Sequence, residues 1–183
     1  MKSKLLVLAA LAVLVAPLRA ADKAQVEAHY QSYYTAGKAV VEMAISRKVD
    51  AAEVAKRVDI MVADALWLAG EYAKIHPKGA KLLQTVTSNV DAMRQLSFDN
   101  LEHEWHDLGY FAKPGNDVGL DLKAEENEHF TDPIHTLVHP LLVLKAAQAY
   151  ATSKSEKDLK SLKEEMEEGL EQAEKQKAVL QKS

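Results

Sequence analysis

The stretch DPIHTLVHPLLVLKAAQAYA, residues Asp132–Ala151, decides how the rest of the chain must fold. An aspartate followed by proline is a helix start, with the carboxylate as N-cap and the proline in the first turn, where its missing N–H leaves no bond unmade. Beyond it, Ile134, Leu137, Val138, Leu141, Leu142, Val143, Leu144, Ala146, Ala147 and Ala149 leave no polar face. A helix that is apolar nearly all round is a buried one, so other helices must surround it. Pro140 falls inside this segment. It cannot donate to the carbonyl of Thr136 and should bend the axis or restart the helix.

Working outward, the chain supplies those partners. A first helix is expected from about Asp22 to Lys48, with Val26, Tyr30, Tyr33, Gly37, Val40, Val41 and Ala44 at three- and four-residue spacing. Asp50 and Glu53 form an acidic capping pair for a second helix. Its stripe of Val54, Val58, Met61, Ala65, Leu68, Tyr72 and Ile75 runs to the His76-Pro77 stop. A third helix is expected from about Lys78 through Leu82, Val86, Val90, Met93, Leu101, Trp105 and Leu108 to about Ala112. Lys113-Pro114-Gly115-Asn116 is a turn signal that opens a long loop, residues 113–131. A last, strongly charged helix spans residues 155–182, capped by Ser155 and Asp158. Its thin stripe is Leu159, Leu162, Met166, Leu170, Ala173 and Leu180, and it should pack by one edge or pair with another copy of the chain. No strand signal and no internal repeat interrupts this pattern. The reading is all-α: an up-down four-helix bundle with an additional helical segment.

The amino terminus reads differently. Lys2 and Lys4 precede an apolar run from Leu5 to Val15, and the small pair Ala20 and Ala21 follows Pro17. That is the layout of a cleaved signal peptide, residues 1–20, too short to span a bilayer. Residues 21–183 then form one helical domain, expected in a periplasm or outside the cell. Of the 23 basic residues in the 183-residue chain, Lys2, Lys4 and Arg19 lie in the signal, together with none of the 27 acids. The remainder therefore carries 20 basic against 27 acidic residues, a net of −7. Nucleic acid and anionic membrane surfaces reward a basic face and are not expected partners. No later segment is apolar for long enough to be a membrane span.

The chain has no cysteine, so any metal site must use histidine, carboxylate or methionine. Five of its seven histidines fall between residues 103 and 139. Two patterns stand out. In Glu102-His103-Glu104-Trp105-His106-Asp107, His103 and His106 are three apart on a helix and can share one ligand. They point roughly opposite to the apolar face of Leu101, Trp105 and Leu108, so a solvated polar face is the plain alternative. Only two residues separate these histidines, which excludes the His-Glu-x-x-His arrangement of zinc peptidases. In the second pattern, His135 and His139 lie four apart on the most apolar helix, with His129 and Asp132 just before them. Buried imidazoles need hydrogen-bond partners or a metal.

The loop 113–131 would bring the two patterns to one end of the bundle. The expected ligands are His103, His106, His135 and His139, with Glu102, Asp107, His129 and Asp132 as alternative or supporting groups. Such a set suits zinc, copper, nickel or iron. Haem held by His135 or His139 is the secondary option. A di-iron carboxylate centre is not indicated, because the one Glu-x-x-His, Glu126 to His129, has no second copy. No phosphate cradle, nucleophile elbow or serine–histidine–aspartate ordering stands out, so a non-enzymatic role is favoured. The rival reading is an adaptor or stress-related interaction protein, with structural histidines, that meets its protein partner through the last helix.

Overall fold

Aspartates open the first two long helices. In α1 (Lys23–Ile45), Asp22 accepts from the backbone N–H groups of Ala24 and Gln25. In α2 (Ala51–Ile75), Asp50 does the same for Ala52 and Glu53 at 2.8 and 3.2 Å. Each cap satisfies donors that have no partner inside the helix. These elements belong to a computed structural model that describes residues 22–183; the expected signal peptide, residues 1–20, lies outside the described residues.

The segment after α2 departs from the expected continuous helix over residues 78–112. It is broken into α3 (Ala80–Ser88), α4 (Val90–Met93) and α5 (Phe98–Leu101), followed by a π-turn at Glu102–His106 and a 3₁₀ turn at Gly109–Ala112. The first break has a local cause. Thr87 donates to the Leu83 carbonyl, Ser88 to Thr85, and the Asn89 amide to Thr85 at 2.8 Å. Side chains that bond the backbone in this way compete with the helical ladder. Asn89 then leaves helical geometry at φ −102°, ψ 6°. Ser97 starts α5 afresh as an N-cap. The apolar spacing survives because each piece turns its own apolar side inward: Leu82, Leu83, Val86, Met93 and Leu101 are all buried.

The loop 113–131 is tied down. Pro114-Gly115 makes the expected turn, with Asn116 N–H bonded to the Lys113 carbonyl and Gly115 at φ +88°, a value suited to glycine. Buried Asn127 accepts from Lys78 and donates to the Asp121 carbonyl, and Lys81 reaches the Asp117 carbonyl. A 3₁₀ helix, Glu125–Phe130, ends on Phe130, whose ring lies so close to Gly79 that a Cβ there would be 2.0 Å from it.

Helix α6 (Thr131–Ser153) is the buried helix the sequence demands; fourteen of its residues are buried. It begins one residue before Asp132, with Phe130 at the capping position and no side-chain cap. It also runs through Pro140. The carbonyl of Thr136, which Pro140 cannot serve, instead accepts from the Tyr33 hydroxyl of α1 at 2.9 Å. A buried carbonyl left without a donor would cost about 1–3 kcal/mol, so this bond is what lets a proline sit inside the central helix.

Helix α7 (Glu156–Lys182) starts at Ser155, which accepts from the Asp158 N–H and donates to its carboxylate. Its buried residues are Leu159, Leu162, Met166, Gly169, Ala173, Gln176 and Leu180, a strict three–four alternation that places Gly169, not the half-buried Leu170, in the seam. Packing runs in a ring: α1 lies against α2 and α7, and α6 lies against α2 and α7. The apolar edge of α7 is thus covered within its own chain. The outer face carries ion pairs such as Lys163–Glu167 and Lys175–Glu171, which solvent screens and which contribute little to stability. Among the described residues, no helix is long and apolar enough to cross a membrane.

Candidate metal centre

His135 and His139 project from successive turns of α6 toward α7 and the π-turn. His139 is 1% exposed and His135 is half-buried. The π-turn decides which of the upstream histidines joins them. Asp107 N–H bonds to the carbonyl of Glu102, five residues back, and this wider turn advances each residue by less than an α-helix does. His103 and His106 therefore do not share a face. His106 turns inward and stacks on His135, ring centroids 4.5 Å apart, and meets His139 edge-on at 5.1 Å. His103 is exposed, and its imidazole lies against Gly109, where a Cβ would come within 2.6 Å of the His103 carbonyl.

His106, His135 and His139 each offer a ring nitrogen within 4.8 Å of the others. One nitrogen of each ring is engaged. His139 Nδ1 bonds a Glu165 carboxylate oxygen of α7 at 2.9 Å, His106 Nδ1 bonds Asp107 at 3.1 Å, and His135 Nε2 donates to the His106 carbonyl at 3.1 Å. These bonds assign the free nitrogens as Nε2 of His139, Nε2 of His106 and Nδ1 of His135. Imidazole that binds a metal characteristically donates its other N–H to a carboxylate or carbonyl, which fixes the tautomer and raises the basicity of the ligating nitrogen. The environment also keeps His135 in the form a metal needs: burial, reinforced by the neighbouring His106, pushes its pKa down from 6.5 to about 4.

Bonds of about 2.0–2.1 Å to one ion hold the nitrogens of a tetrahedral site about 3.4 Å apart, so a cluster that spans up to 4.8 Å must draw in by as much as about 1.4 Å. The stacked rings of His106 and His135, 13° from parallel, must also splay, because each metal bond lies in its ring plane. The torsion that turns an imidazole is broad and soft, and His106 sits in an irregular turn that can follow.

The other expected residues lie elsewhere. Glu102 supplies the carbonyl that closes the π-turn, and Asp107 supports His106. His129 belongs to a different group: the Tyr72 hydroxyl donates to its carbonyl at 3.0 Å and sits 2.8 Å from its Nδ1, and the His76 ring is 5.0 Å away. Burial lowers the pKa of both His76 and His129. Asp132 lines a cavity of about 630 Å³ that His129 and His135 also border, and burial raises its pKa. His29 pairs with Asp64 at 2.7 Å and stacks on Trp67, far along the chain from the cluster.

Sequence reasoning missed Glu165 and its neighbour Glu168, which approaches His139 Nε2 at 4.0 Å. The signal was the seam of α7: once Leu162, Met166 and Gly169 face inward, residues 165 and 168 flank that seam. Gly169 sets the approach. A Cβ there would stand 2.9 Å from His139 Cβ and 3.1 Å from the Tyr33 hydroxyl, so only glycine lets α7 bring its carboxylates this near. Comparison with protein-family models, with curated proteins and with solved structures finds no match for this chain.

Proposed function

We propose that the protein is an exported helical-bundle protein, of up-down four-helix type, that holds one divalent transition-metal ion through His106, His135 and His139. The observation that carries this reading is the three converging imidazoles, each with one ring nitrogen bonded to a carboxylate or carbonyl oxygen. Nitrogen donors with carboxylate support suit zinc, copper, nickel or iron. An ion is favoured over haem because the rings touch one another, with centroids 4.5–5.7 Å apart, and a porphyrin would need a slot between its axial ligand and the next residue. The location outside the cytoplasm rests on the amino-terminal pattern of residues 1–20.

The test is titration of the chelator-stripped protein with zinc, copper, nickel and ferrous iron. One of these ions should bind with one-to-one stoichiometry, and the double change His135→Gln with His139→Gln should abolish binding while the protein stays helical by circular dichroism. Indifference of the unaltered protein to all four ions would end the reading. The interaction-protein alternative would then be tested on the outer, charged face of α7.

A further inference from the structure

Three imidazoles leave a four-coordinate ion one ligand short, and they are neutral, so they leave its double charge uncompensated in a partly buried site. Both needs point to a carboxylate on the side of the free nitrogens. We infer that Glu168 of α7 is the fourth ligand, so that the site closes as three histidines and one glutamate; this rests on the metal-binding reading above.

Four observations place Glu168 there. Its carboxylate lies 4.0 Å from His139 Nε2, the nitrogen left free when Nδ1 bonds Glu165. Two metal bonds of about 2 Å at a tetrahedral angle hold their ligand atoms about 3.3 Å apart, so the carboxylate has only about 0.7 Å to close. Glu165 and Glu168, one turn apart, therefore bracket the two nitrogens of a single imidazole. The carboxylate is also uncommitted. Glu164, Glu167, Glu171 and Glu174 of the same helix each pair with a lysine, whereas the ion-pair contact of Glu168 among the described residues is with His139 alone. The side chain is 60% exposed, so it can swing inward without breaking a packed contact. Finally, Gly169 beside it fixes the close approach of α7 to α6 at this level.

The consequence is chemical. A metal with four protein ligands has no open position for substrate, and such closed spheres belong to structural or storage sites, whereas catalytic ones keep a water. The ion would tie together three separate segments: the π-turn through His106, α6 through His135 and His139, and α7 through Glu168.

The experiment compares the full protein with Glu168→Gln and Glu167→Gln, each stripped of metal. Zinc affinity is read by competition with a chromophoric chelator, and cobalt(II) is then used as a spectroscopic probe of the ligand set. Glu168→Gln should weaken zinc at least about tenfold, the lower end of what even supporting residues of metal sites contribute, and should shift the cobalt d–d bands. Glu167→Gln should match the unaltered protein in both. Equal zinc affinity in Glu168→Gln and the unaltered protein overturns the assignment and leaves the three-histidine site standing. Weakened zinc with an unchanged cobalt spectrum also overturns it, because charge alone would then be the contribution. Failure of the unaltered protein to bind either ion removes the metal site itself.

Discussion

Two residues show how local chemistry is set by neighbours far away in sequence. Gly169 and Gly70 both sit inside long helices, where glycine usually costs about 0.5–1 kcal/mol relative to alanine. Nothing lies within 4 Å of a Cβ added at Gly70, so Gly70→Ala should stabilise the protein by about that amount. At Gly169 the same change meets His139 and Tyr33, and overpacking of this kind costs about 1–3 kcal/mol. Denaturant melts of the two variants should therefore move in opposite directions. His135 gives a pH prediction for metal-free protein. Its folded pKa, about 4, lies below its unfolded value of 6.5, so between these values the unfolded chain binds the extra proton. The residue's contribution is intact above pH 6.5 and is lost as pH falls toward 4. The loss approaches on the order of 3 kcal/mol at about 1.4 kcal/mol per unit. Melting temperatures from pH 7.5 to 4.5 should fall more steeply for the unaltered protein than for His135→Gln; parallel curves would refute the assignment.

Among the elements, α6 and α7 are opposites that the ring of contacts explains. α6 is enclosed by α2 and α7, and Leu141 at its middle is fully buried. Leu141→Asp puts a charge where no partner exists and should unfold the protein or lower its stability by several kcal/mol (roughly 4 or more). Glu167→Ala on the outer face of α7 removes one exposed pair with Lys163 and should stay within about 0.5 kcal/mol. Similar melts for these two variants would mean that α6 is not the central helix. The heptad seam of α7 was nearly readable: its spacing selects Gly169 and Gln176 as inward residues, although neither is apolar. The broken third helix was harder. Leu82, Val86, Val90 and Met93 keep helical periodicity across the breaks, and the competing side chains of Thr87, Ser88 and Asn89 are a weaker signal than the apolar pattern they interrupt.

For the whole molecule, an ion that bridges three segments binds the folded state and has little to bind in the unfolded chain. At an ion concentration about a thousandfold above the dissociation constant, linkage stabilises the fold by roughly 4 kcal/mol. For a domain of this size, that raises the melting temperature by roughly 10 °C, at about 2–4 °C per kcal/mol. Binding must also weaken in acid, because a protonated imidazole cannot ligate, and for His135, with its pKa lowered to about 4, that loss comes as pH approaches 4. A metal-induced shift of the same size at about pH 4 and pH 7.5 would argue against histidine ligation.

The sequence by itself determined the all-helical class, the Asp50 cap, the Pro-Gly turn, the burial of α6 and most of the α7 seam, with Leu170 in place of Gly169, because each depends on residues within a few positions of one another. It also singled out the three histidines that lie together, and His103 beside them. What separated His106 from His103 was the π-turn, a backbone detail that the spacing of Leu101, Trp105 and Leu108 does not encode. The carboxylates that approach His139 come from α7, some thirty residues farther along the chain. Their nearness depends on the Gly169 contact and on Tyr33 holding the Thr136 carbonyl. Such pairings between distant segments have no periodicity to betray them. They exist only once α1, α6 and α7 are packed together.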